Sequence, residues 1–288
     1  MTDPAQPLVS VVMTCYNHEP YVAEAIASVL TQDYRPLEVI IVDDGSTDAS
    51  RFRIAKAVDG AGGLPIRVIE QANAGQAAAL NAGIRASTGA IVALMDGDDL
   101  WTPDKLSRMA RFIETHPGGG VYQHQVDDGT GHPFRMLLPS GDIMARWLED
   151  GVLNTAIDPQ RVQVNVPTSG LVFRREVLDD LLPIPEALVV CPDFYLFVLG
   201  LTHGPLYSEP ATLATWRNHD ANATHDTRFA FKAYWLPVVF PAVNDALARR
   251  RIPLRFTFNR SALLWLPFRH LMAALHRRRL RSQGKRID

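Results

Sequence analysis

Short apolar runs alternate with amphipathic stretches along the first 115 residues of the chain. Residues 8–14, 37–42 and 91–95 are mostly apolar, which is typical of strands buried on both faces of a parallel sheet. Between them, apolar residues recur at about 3.6-residue spacing from Val22 to Leu30, and an alanine-rich stretch covers residues 76–86. This alternation predicts a βαβα chain with parallel strands and right-handed crossovers.

Proline and glycine mark the boundaries of the shorter elements. We expect Pro20 and Pro103 in the first turns of helices, and the run from His116 to Gly120 should end the second of these helices. Gly83 lies inside a predicted helix, which indicates that another element packs closely there. Further strands are predicted at 66–70, 121–126, 162–166, 171–173 and 206–216, and further helices at 143–148 and 194–199.

Three carboxylates directly follow the strand at residues 91–95: Asp96, Asp98 and Asp99. Asp96 and Asp98 are two positions apart, so in an extended chain they project to the same side. Clustered carboxylates repel one another, and a divalent cation such as Mg²⁺ or Mn²⁺, completed by substrate phosphates, removes that conflict. The cluster also lies at the carboxyl end of a strand, where open α/β sheets bind ligands. The alternative interpretation is a polar loop that caps the next helix.

Asp193 begins a helix that is otherwise almost wholly apolar. A carboxylate in the first turn lies in the positive end of the helix dipole. Asp193 is therefore either a functional carboxylate in a region shielded from water or an acid that only stabilises the start of the helix. Both interpretations stay open at this point.

Composition and charge exclude several classes of protein. The chain has 288 residues with a formal net charge of −2, which argues against nucleic acid as a partner. The two cysteines, Cys15 and Cys191, form no Cys-x-x-Cys motif and no disulfide framework. The first residues lack the features of a signal peptide, and no apolar run approaches the length of about 18 residues that a membrane span needs. We expect a cytoplasmic protein.

The C-terminal residues 263–286 combine Trp265 and Phe268 with a run of arginines. This composition is typical of an interfacial membrane segment. It predicts that the protein binds peripherally to the anionic inner face of a membrane. A solvated, frayed terminus is the alternative.

Four segments resemble, in order, motifs of the family-2 inverting glycosyltransferases: residues 9–17, 42–48, 73–83 and 96–99. The resemblance implies an α/β protein of the GT-A type, with a Rossmann-like, mostly parallel central sheet flanked by helices and a helical C-terminal extension. It also implies a nucleotide-sugar and metal-binding half at 1–117, an acceptor-binding and catalytic-base half of the same domain at 118–225, and a basic extension at 226–288.

The same resemblance implies roles for individual residues. Asp193 falls at the position of the general base, although its neighbour is Pro192 where the family has an acidic residue. Leu80 stands where many members have Arg. Nucleotide binding is implied for Thr14, Tyr16 (stacking on the base), Asp44 (accepting from N3–H of uracil or thymine), Asn73, Gly75, Asn81 and Asp96 (ribose or metal), and metal binding for Asp98, Asp96 and His219.

These residues together predict a metal-dependent inverting glycosyltransferase. It would move a single sugar from a UDP- or dTDP-sugar to a glycan or lipid-linked acceptor, in cell-surface polysaccharide synthesis. Inversion needs one base on the acceptor and an electrophile on the leaving group, and no nucleophile. One alternative is a metal-dependent nucleotidyltransferase, which would need a basic glycine-rich loop. A second is a non-catalytic scaffold protein that binds nucleotide-sugar, and a glycosidase is less favoured. A processive synthase is disfavoured because Gln-x-x-Arg-Trp is absent.

Overall fold

The structure is a computed structural model that describes residues 6–134, 138–149, 167–220, 222 and 231–256. Within these residues an eight-stranded sheet has the strand order β3-β2-β1-β4-β7-β6-β8-β5. The strands are β1 (Val9–Cys15), β2 (Leu37–Asp43), β3 (Ile66–Glu70), β4 (Ile91–Asp96), β5 (Leu100–Trp101), β6 (Val121–Asp127), β7 (Leu171–Arg174) and β8 (Leu206–Thr215). The helices are α1 (Val22–Leu30), α2 (Ser50–Asp59), α3 (Gln76–Ala86), α4 (Lys105–Thr115), α5 (Ile143–Glu149), α6 (Arg175–Leu181), α7 (Pro192–Gly200) and α8 (Phe240–Arg249).

The first four strands form the parallel half of the sheet. β1 pairs in parallel with β2 and β4, and β2 pairs in parallel with β3. Beyond β4 the sheet becomes mixed, because β7 is antiparallel to both β4 and β6 while β6 and β8 are parallel. The predicted α/β class with a mostly parallel sheet is confirmed, since four of the seven neighbouring pairs are parallel.

Helices cover both faces of the sheet, which explains why the central strands are apolar at every position. Successive side chains of a strand point to opposite faces. Val12 and Leu94 therefore join the apolar cluster that contains α3, α7 and α8, whereas Val11 and Met95 join the cluster that contains α1 and α4. Gly83 of α3 confirms the predicted close packing, because a Cβ there would lie 2.5 Å from a methyl group of Val12.

Two helices begin later than their prolines suggested. Pro20 lies in the turn before α1, which begins at Val22, and Pro103 lies in the turn before α4, which begins at Lys105. The predicted helix at 143–148 is confirmed as α5, and its start is capped by Asp142, whose carboxylate accepts from the N–H of Ala145 at 2.7 Å. β5 and α6 were not predicted.

The helical extension is confirmed as far as the structure describes it. A π-helical stretch, Phe231–Val239, leads into α8, which packs against α7. Among the described residues, no helix combines the length and the apolar character needed to cross a membrane. The predicted strand at 162–166 and the basic tail at 263–286 lie outside the described residues, and the division at 117/118 and 225/226 stays a prediction.

Candidate active site

The ends of β1, β2 and β4 bring the predicted site residues to one edge of the sheet. Thr14 pairs with Asp96 in the register of β1 and β4, and its hydroxyl lies 3.5 Å from an Asp96 carboxylate oxygen. The N–H of Gly97 donates to the Thr14 carbonyl at 2.8 Å. A Cβ at Gly97 would lie 2.9 Å from that oxygen. Glycine therefore lets the acidic turn at 96–99 fold back against the end of β1.

Asp96, Asp98 and Asp99 form a single acidic cluster. One carboxylate oxygen from each lies within 4.8 Å of the others. Asp98 and Asp99 are 7% and 0% exposed, and the N–H of Asp99 donates to the Asp96 carbonyl at 3.1 Å, which closes the turn. Three carboxylates this close and this well shielded from water favour a bound cation.

Asp98 is surrounded by donor side chains. His219 Nε2 lies 3.1 Å, Asn222 Nδ2 3.3 Å and His18 Nε2 3.6 Å from the same Asp98 oxygen, Oδ2. Burial alone would raise the pKa of the Asp98 carboxyl, but His18 and His219 outweigh it and hold the pKa below its usual range. Asp98 is therefore ionised at neutral pH, and the structure brings the predicted pair Asp98 and His219 together.

Asp96 is half-buried, and neutral side chains contact its carboxylate. Gln76 Nε2 donates to it at 2.7 Å. Burial, followed by the charges of Asp98 and Asp193, raises the pKa of Asp96 to about 8, against smaller lowering effects of neighbouring hydrogen bonds. The effect of Asp193 on this pKa indicates that the two carboxylates lie near each other.

Asp193 occupies the first turn of α7, as predicted. Cys191 before it has left-handed backbone angles (φ 60°, ψ 34°), which turn the chain sharply into the helix. Pro192 is buried, whereas the Asp193 side chain is partly exposed and accepts from the N–H of Phe194 at 2.9 Å. Asp193 is thus an acid at the start of a helix, near Asp96, and its role as general base stays a prediction.

Arg217 attaches the segment that carries His219 to the acidic turn. Its guanidinium Nε donates to the Asp98 carbonyl, and its backbone N–H donates to Asp99 Oδ1 at 3.2 Å. Another guanidinium nitrogen donates to the Tyr21 carbonyl at 2.9 Å. The Tyr21 ring in turn stacks on His219, with 4.3 Å between ring centroids. These contacts fix the His219 imidazole beside Asp98.

The predicted base pocket lies at the end of β2. Asp44 is 3% exposed, and its carboxylate accepts from the N–H groups of Ala74 at 3.0 Å and Gly75 at 2.8 Å and from Gln71 Nε2 at 2.7 Å. Asp44 therefore holds the turn between β3 and α3. Tyr16 lies at the end of β1 with 44% of its surface exposed, which leaves its ring free to stack on a ligand.

The two predicted asparagines have different surroundings. Asn73 is exposed in the turn that Asp44 holds. Asn81 is 2% exposed, and both ends of its carboxamide are bound to the backbone of Ile184, at 2.8 Å each. The structure thus gives Asn81 the task of fixing the segment around Ile184, and its predicted contact with nucleotide receives no support from the geometry.

The donor set at the acidic turn fits a hard divalent cation. Carboxylate oxygens suit Mg²⁺ and Mn²⁺, and an imidazole nitrogen is a better ligand for Mn²⁺ than for Mg²⁺. Asp98, Asp96 and His219 would hold the ion: carboxylate oxygens of Asp96, Asp98 and Asp99 lie within 4.8 Å of one another, His219 Nε2 lies 3.1 Å from Asp98 Oδ2, and Asp98 stays ionised.

The sequence analysis did not identify several residues of this site. His18 and Gln76 contact the acidic turn directly, and Asn222 adds an amide to Asp98. Ser169 accepts from the N–H of Asp96 at 3.0 Å. His18 had one usable signal, because it follows the end of a strand that was already predicted to border the site.

Comparison with known proteins shows which family this chain matches. The family model described as "Glycosyl transferase family 2" matches residues 10–182. An uncharacterized glycosyltransferase of Nostoc sp. is 37% identical over 216 residues, which cover 74% of this chain and 66% of that protein. The putative glycosyltransferase EpsE of Bacillus subtilis is 41% identical over 111 residues, 38% of this chain and 40% of that protein. The chain spans roughly two thirds of the length of the first of these relatives.

Solved structures share the fold at low sequence identity. S. aureus TarS 1–349 in complex with UDP-GlcNAc matches with a TM-score of 0.63 and 19% identity, over 86% of this chain and 68% of that one. The mannosyltransferase PcManGT of Pyrobaculum calidifontis, in complex with GDP-Man and Mn²⁺, matches with a TM-score of 0.58 and 20% identity, over 93% and 81%. At this identity the likeness concerns the fold.

Proposed function

The chain belongs to glycosyltransferase family 2 and has the GT-A fold, and we propose that it transfers a single sugar from a nucleoside diphosphate sugar to an acceptor with inversion at the anomeric carbon. The acceptor would be a glycan or a lipid-linked glycan of cell-surface polysaccharide synthesis. UDP- or dTDP-sugars are the favoured donors.

One observation carries this proposal: the carboxylates of Asp96, Asp98 and Asp99 lie within 4.8 Å of one another at the carboxyl end of β4, in a chain of this family. Asp193 lies close enough to this acidic turn for its charge to raise the pKa of Asp96. The two groups come from β4 and from the first turn of α7, far apart in the sequence. An inverting transfer requires a base on one side of the anomeric carbon and stabilisation of the leaving group on the other. The arrangement offers one group for each task.

The leaving group would be stabilised at the acidic turn. A divalent cation, when bound, supplies positive charge toward the diphosphate. Asp98 would hold it as the ionised carboxylate, with Asp96 and His219 completing the protein ligands. Arg217 and Tyr21 keep the His219 ring in place.

The acceptor hydroxyl would be deprotonated by Asp193. Asp193 lies in the first turn of α7, at the positive end of the helix dipole and at the start of an otherwise apolar helix. A carboxylate in this position could accept the proton of an acceptor hydroxyl that binds beside it.

Donor recognition would use the end of β2 and the exposed ring of Tyr16. Asp44 holds the turn of Ala74 and Gly75, and a carboxylate can accept from more groups than the three it contacts here. The N3–H of uracil or thymine would be a fourth donor to this carboxylate. The ligands in the titles of the fold neighbours, UDP-GlcNAc for TarS and GDP-Man with Mn²⁺ for PcManGT, support a nucleotide-sugar donor and a metal.

A panel of UDP-, dTDP- and GDP-sugars, each with and without EDTA, tests the proposal. We expect release of nucleoside diphosphate from one donor, loss of release with EDTA, and recovery with Mn²⁺. Asp98→Ala should abolish release, whereas Asp59→Ala, which changes an exposed carboxylate at the end of α2, should not. Pyrophosphate release from a nucleoside triphosphate would show a nucleotidyltransferase instead, and donor binding without turnover would show a scaffold protein. NMR of the product's anomeric configuration tests inversion.

A further inference from the structure

The segment that precedes Asp193 has no helix or strand of its own. It covers residues 182–191, between α6 and α7, and leads directly into the first turn of α7. Ile184 and Leu188 within it are 0% exposed. Buried backbone outside a helix or sheet needs hydrogen-bond partners elsewhere, so the partners of this segment decide where it lies.

Asn81 of α3 is the first of these partners. Its side-chain Nδ2 donates to the Ile184 carbonyl and its Oδ1 accepts from the N–H of Ile184, both at 2.8 Å. Asn81 is 2% exposed, so water does not compete for either bond. A carboxamide that pairs with both backbone groups of one residue fixes the position and the orientation of that residue.

Tyr234 of the π-helical stretch holds the end of the same segment. Its hydroxyl donates toward the carbonyl oxygens of Ala187 and Val190, each at 3.1 Å, and accepts from the N–H of Val190 at 3.2 Å. Tyr234 is 6% exposed. One buried hydroxyl thus closes the turn at 187–190, directly before Cys191 with its left-handed backbone.

α3 also holds the segment through its first residue, Gln76. The N–H of Gln76 donates to the Val189 carbonyl at 2.9 Å, and its side chain donates to Asp96 at 2.7 Å. At the preceding position, a Cβ on Gly75 would lie 2.7 Å from Val189 Cα, so the two backbones are in contact there. The segment before Asp193 is therefore bound to the same helix start that contacts the acidic turn.

These bonds give Asp193 a position that the packing of α7 alone does not determine. Residues 194–200 of α7 are all buried, but apolar burial is non-directional. A hydrogen bond, in contrast, depends on both distance and angle. The partners of residues 184–190 therefore fix the first turn of α7 more sharply than its apolar side chains do.

We propose that Asn81 and Tyr234 are positioning residues of the transfer reaction, which hold residues 184–190 so that Asp193 has a fixed place relative to the acidic turn. Asn81 then has no contact with the nucleotide. The inference rests on the proposed function, which gives Asp193 the role of general base. A displacement of about 1 Å can slow a reaction by about 100-fold, so the place of such a base matters.

Turnover and nucleotide affinity of the full chain, measured side by side, test this role. Turnover is the release of nucleoside diphosphate at a saturating concentration of the donor that the panel identifies, and affinity is the dissociation constant of that nucleoside diphosphate with Mn²⁺. Asn81→Ala should lower kcat by about 10–100-fold and Tyr234→Phe by about 3–10-fold. Both variants should keep the dissociation constant within about threefold of wild type, because neither residue contacts the nucleotide.

A second measurement separates positioning from a general effect on stability. Residues that act through Asp193 have little left to act on once its carboxylate is gone. In the Asp193→Asn background, Asn81→Ala and Tyr234→Phe should therefore lower the residual rate by less than about twofold.

Tyr122→Phe is the matched control. Tyr122 is 0% exposed, and its hydroxyl donates to the His116 carbonyl at 2.7 Å and accepts from the N–H of Gly119 at 3.0 Å, so it too holds a loop. That loop precedes β6, which is parallel to β4 because both are antiparallel to β7, so it lies at the sheet edge opposite the acidic turn. The substitution should lower thermal stability as Tyr234→Phe does and leave kcat unchanged.

Three results would overturn the inference: a wild-type kcat in Asn81→Ala or in Tyr234→Phe, a dissociation constant raised more than about tenfold in Asn81→Ala, or a full further loss of rate in the Asp193→Asn background. Should Asn81→Ala not fold, Tyr234→Phe decides in the same comparisons. Loss of transfer in Asp193→Asn with wild-type kcat in the other two variants refutes this inference alone. A wild-type rate in Asp193→Asn, or a wild-type chain that transfers no sugar from any donor, refutes the proposed function and this inference together.

Discussion

Metal binding at the acidic turn should depend steeply on pH, because Asp96 must give up a proton. Burial and the charges of Asp98 and Asp193 raise the pKa of Asp96 to about 8. At neutral pH most metal-free molecules therefore carry a proton on this carboxyl. A cation that uses Asp96 as a ligand must displace that proton.

The magnitude follows from this pKa. Below about pH 8, Mn²⁺ affinity should rise about tenfold per pH unit and then level off, so that binding at pH 6 is about 100-fold weaker than the plateau. Asp98 adds no proton in this range because its pKa is lowered, and His18 adds little because burial lowers its pKa too. Binding at pH 7 should release close to one proton, or about 0.9 at a pKa of about 8.

Calorimetric titration with Mn²⁺ at pH 6–9, in buffers of different ionisation enthalpy, measures both the affinity and the released protons. Asp96→Asn is the control. Its maximal Mn²⁺ affinity should be lower than that of wild type, this affinity should not change from pH 6 to 8, and Mn²⁺ binding should release no proton. The stability of the metal-free protein has a definite sign as well. Because the pKa of Asp96 is raised on folding, the contribution of Asp96 to the free energy of unfolding is full below its unfolded pKa near 4 and is lost as pH rises through about 8, and Asp96→Asn should remove this contribution.

Two results would refute this reasoning. A wild-type Mn²⁺ affinity that stays constant between pH 6 and 8 would mean that Asp96 is ionised before metal binds or is not a ligand. An equal slope in Asp96→Asn would assign the proton to another group of the cluster, with Asp99, whose pKa is also raised, as the neighbour to test next.

Three further predictions concern other parts of the chain. Asp44→Ala removes three hydrogen bonds that hold the turn of Gly75, so donor affinity should fall by about 1.5–3 kcal/mol while Mn²⁺ dependence persists; an unchanged dissociation constant for the preferred nucleotide contradicts this. Asp193→Asn should reduce turnover by about 10²–10⁴-fold and leave Mn²⁺ and nucleotide binding nearly intact, whereas transfer at the wild-type rate would rule out the general base. Truncation after Pro267 should abolish salt-sensitive sedimentation with anionic liposomes, which each Lys or Arg favours by about 1 kcal/mol, and equal sedimentation of both chains would disprove a membrane role for the tail.

The elements that the sequence predicted well are those whose signal is local. β1, β2 and β4 are long apolar runs with covered faces, and each carries its own evidence. β5 has two residues, Leu100–Trp101, and becomes a strand through its pairing with β8. α6 has seven residues and buries only Val177, Leu178 and Leu181, so its stability depends on the elements against which it packs.

The site residues divide in the same way, into those with a local signal in the sequence and those that depend on contacts between distant positions. The clustering of Asp96 and Asp98 at a strand end was visible in the sequence, and the structure places both at the sheet edge. The contact between His18 and Asp98 depends on how the chain curves after β1, and no spacing rule connects positions 80 residues apart. Asn81 was assigned to nucleotide binding through the family resemblance alone. Its two hydrogen bonds to the backbone of Ile184, 103 residues later, could not be predicted from the sequence.

The acidic turn at 96–99 is held more firmly by the protein than the predicted base-binding residues Tyr16 and Asn73. The acidic turn is bound by β1 through Gly97, by Ser169 and by Arg217, so its geometry is set before any ligand arrives. Such preorganisation suits a metal and a diphosphate, whose chemistry is common to all donors of this class. Tyr16 and Asn73, by contrast, are exposed at the rim. On the proposed function, changes at the rim should alter which base is accepted without disturbing the metal site, whereas a change at Ser169 or Arg217 should weaken transfer from every donor alike.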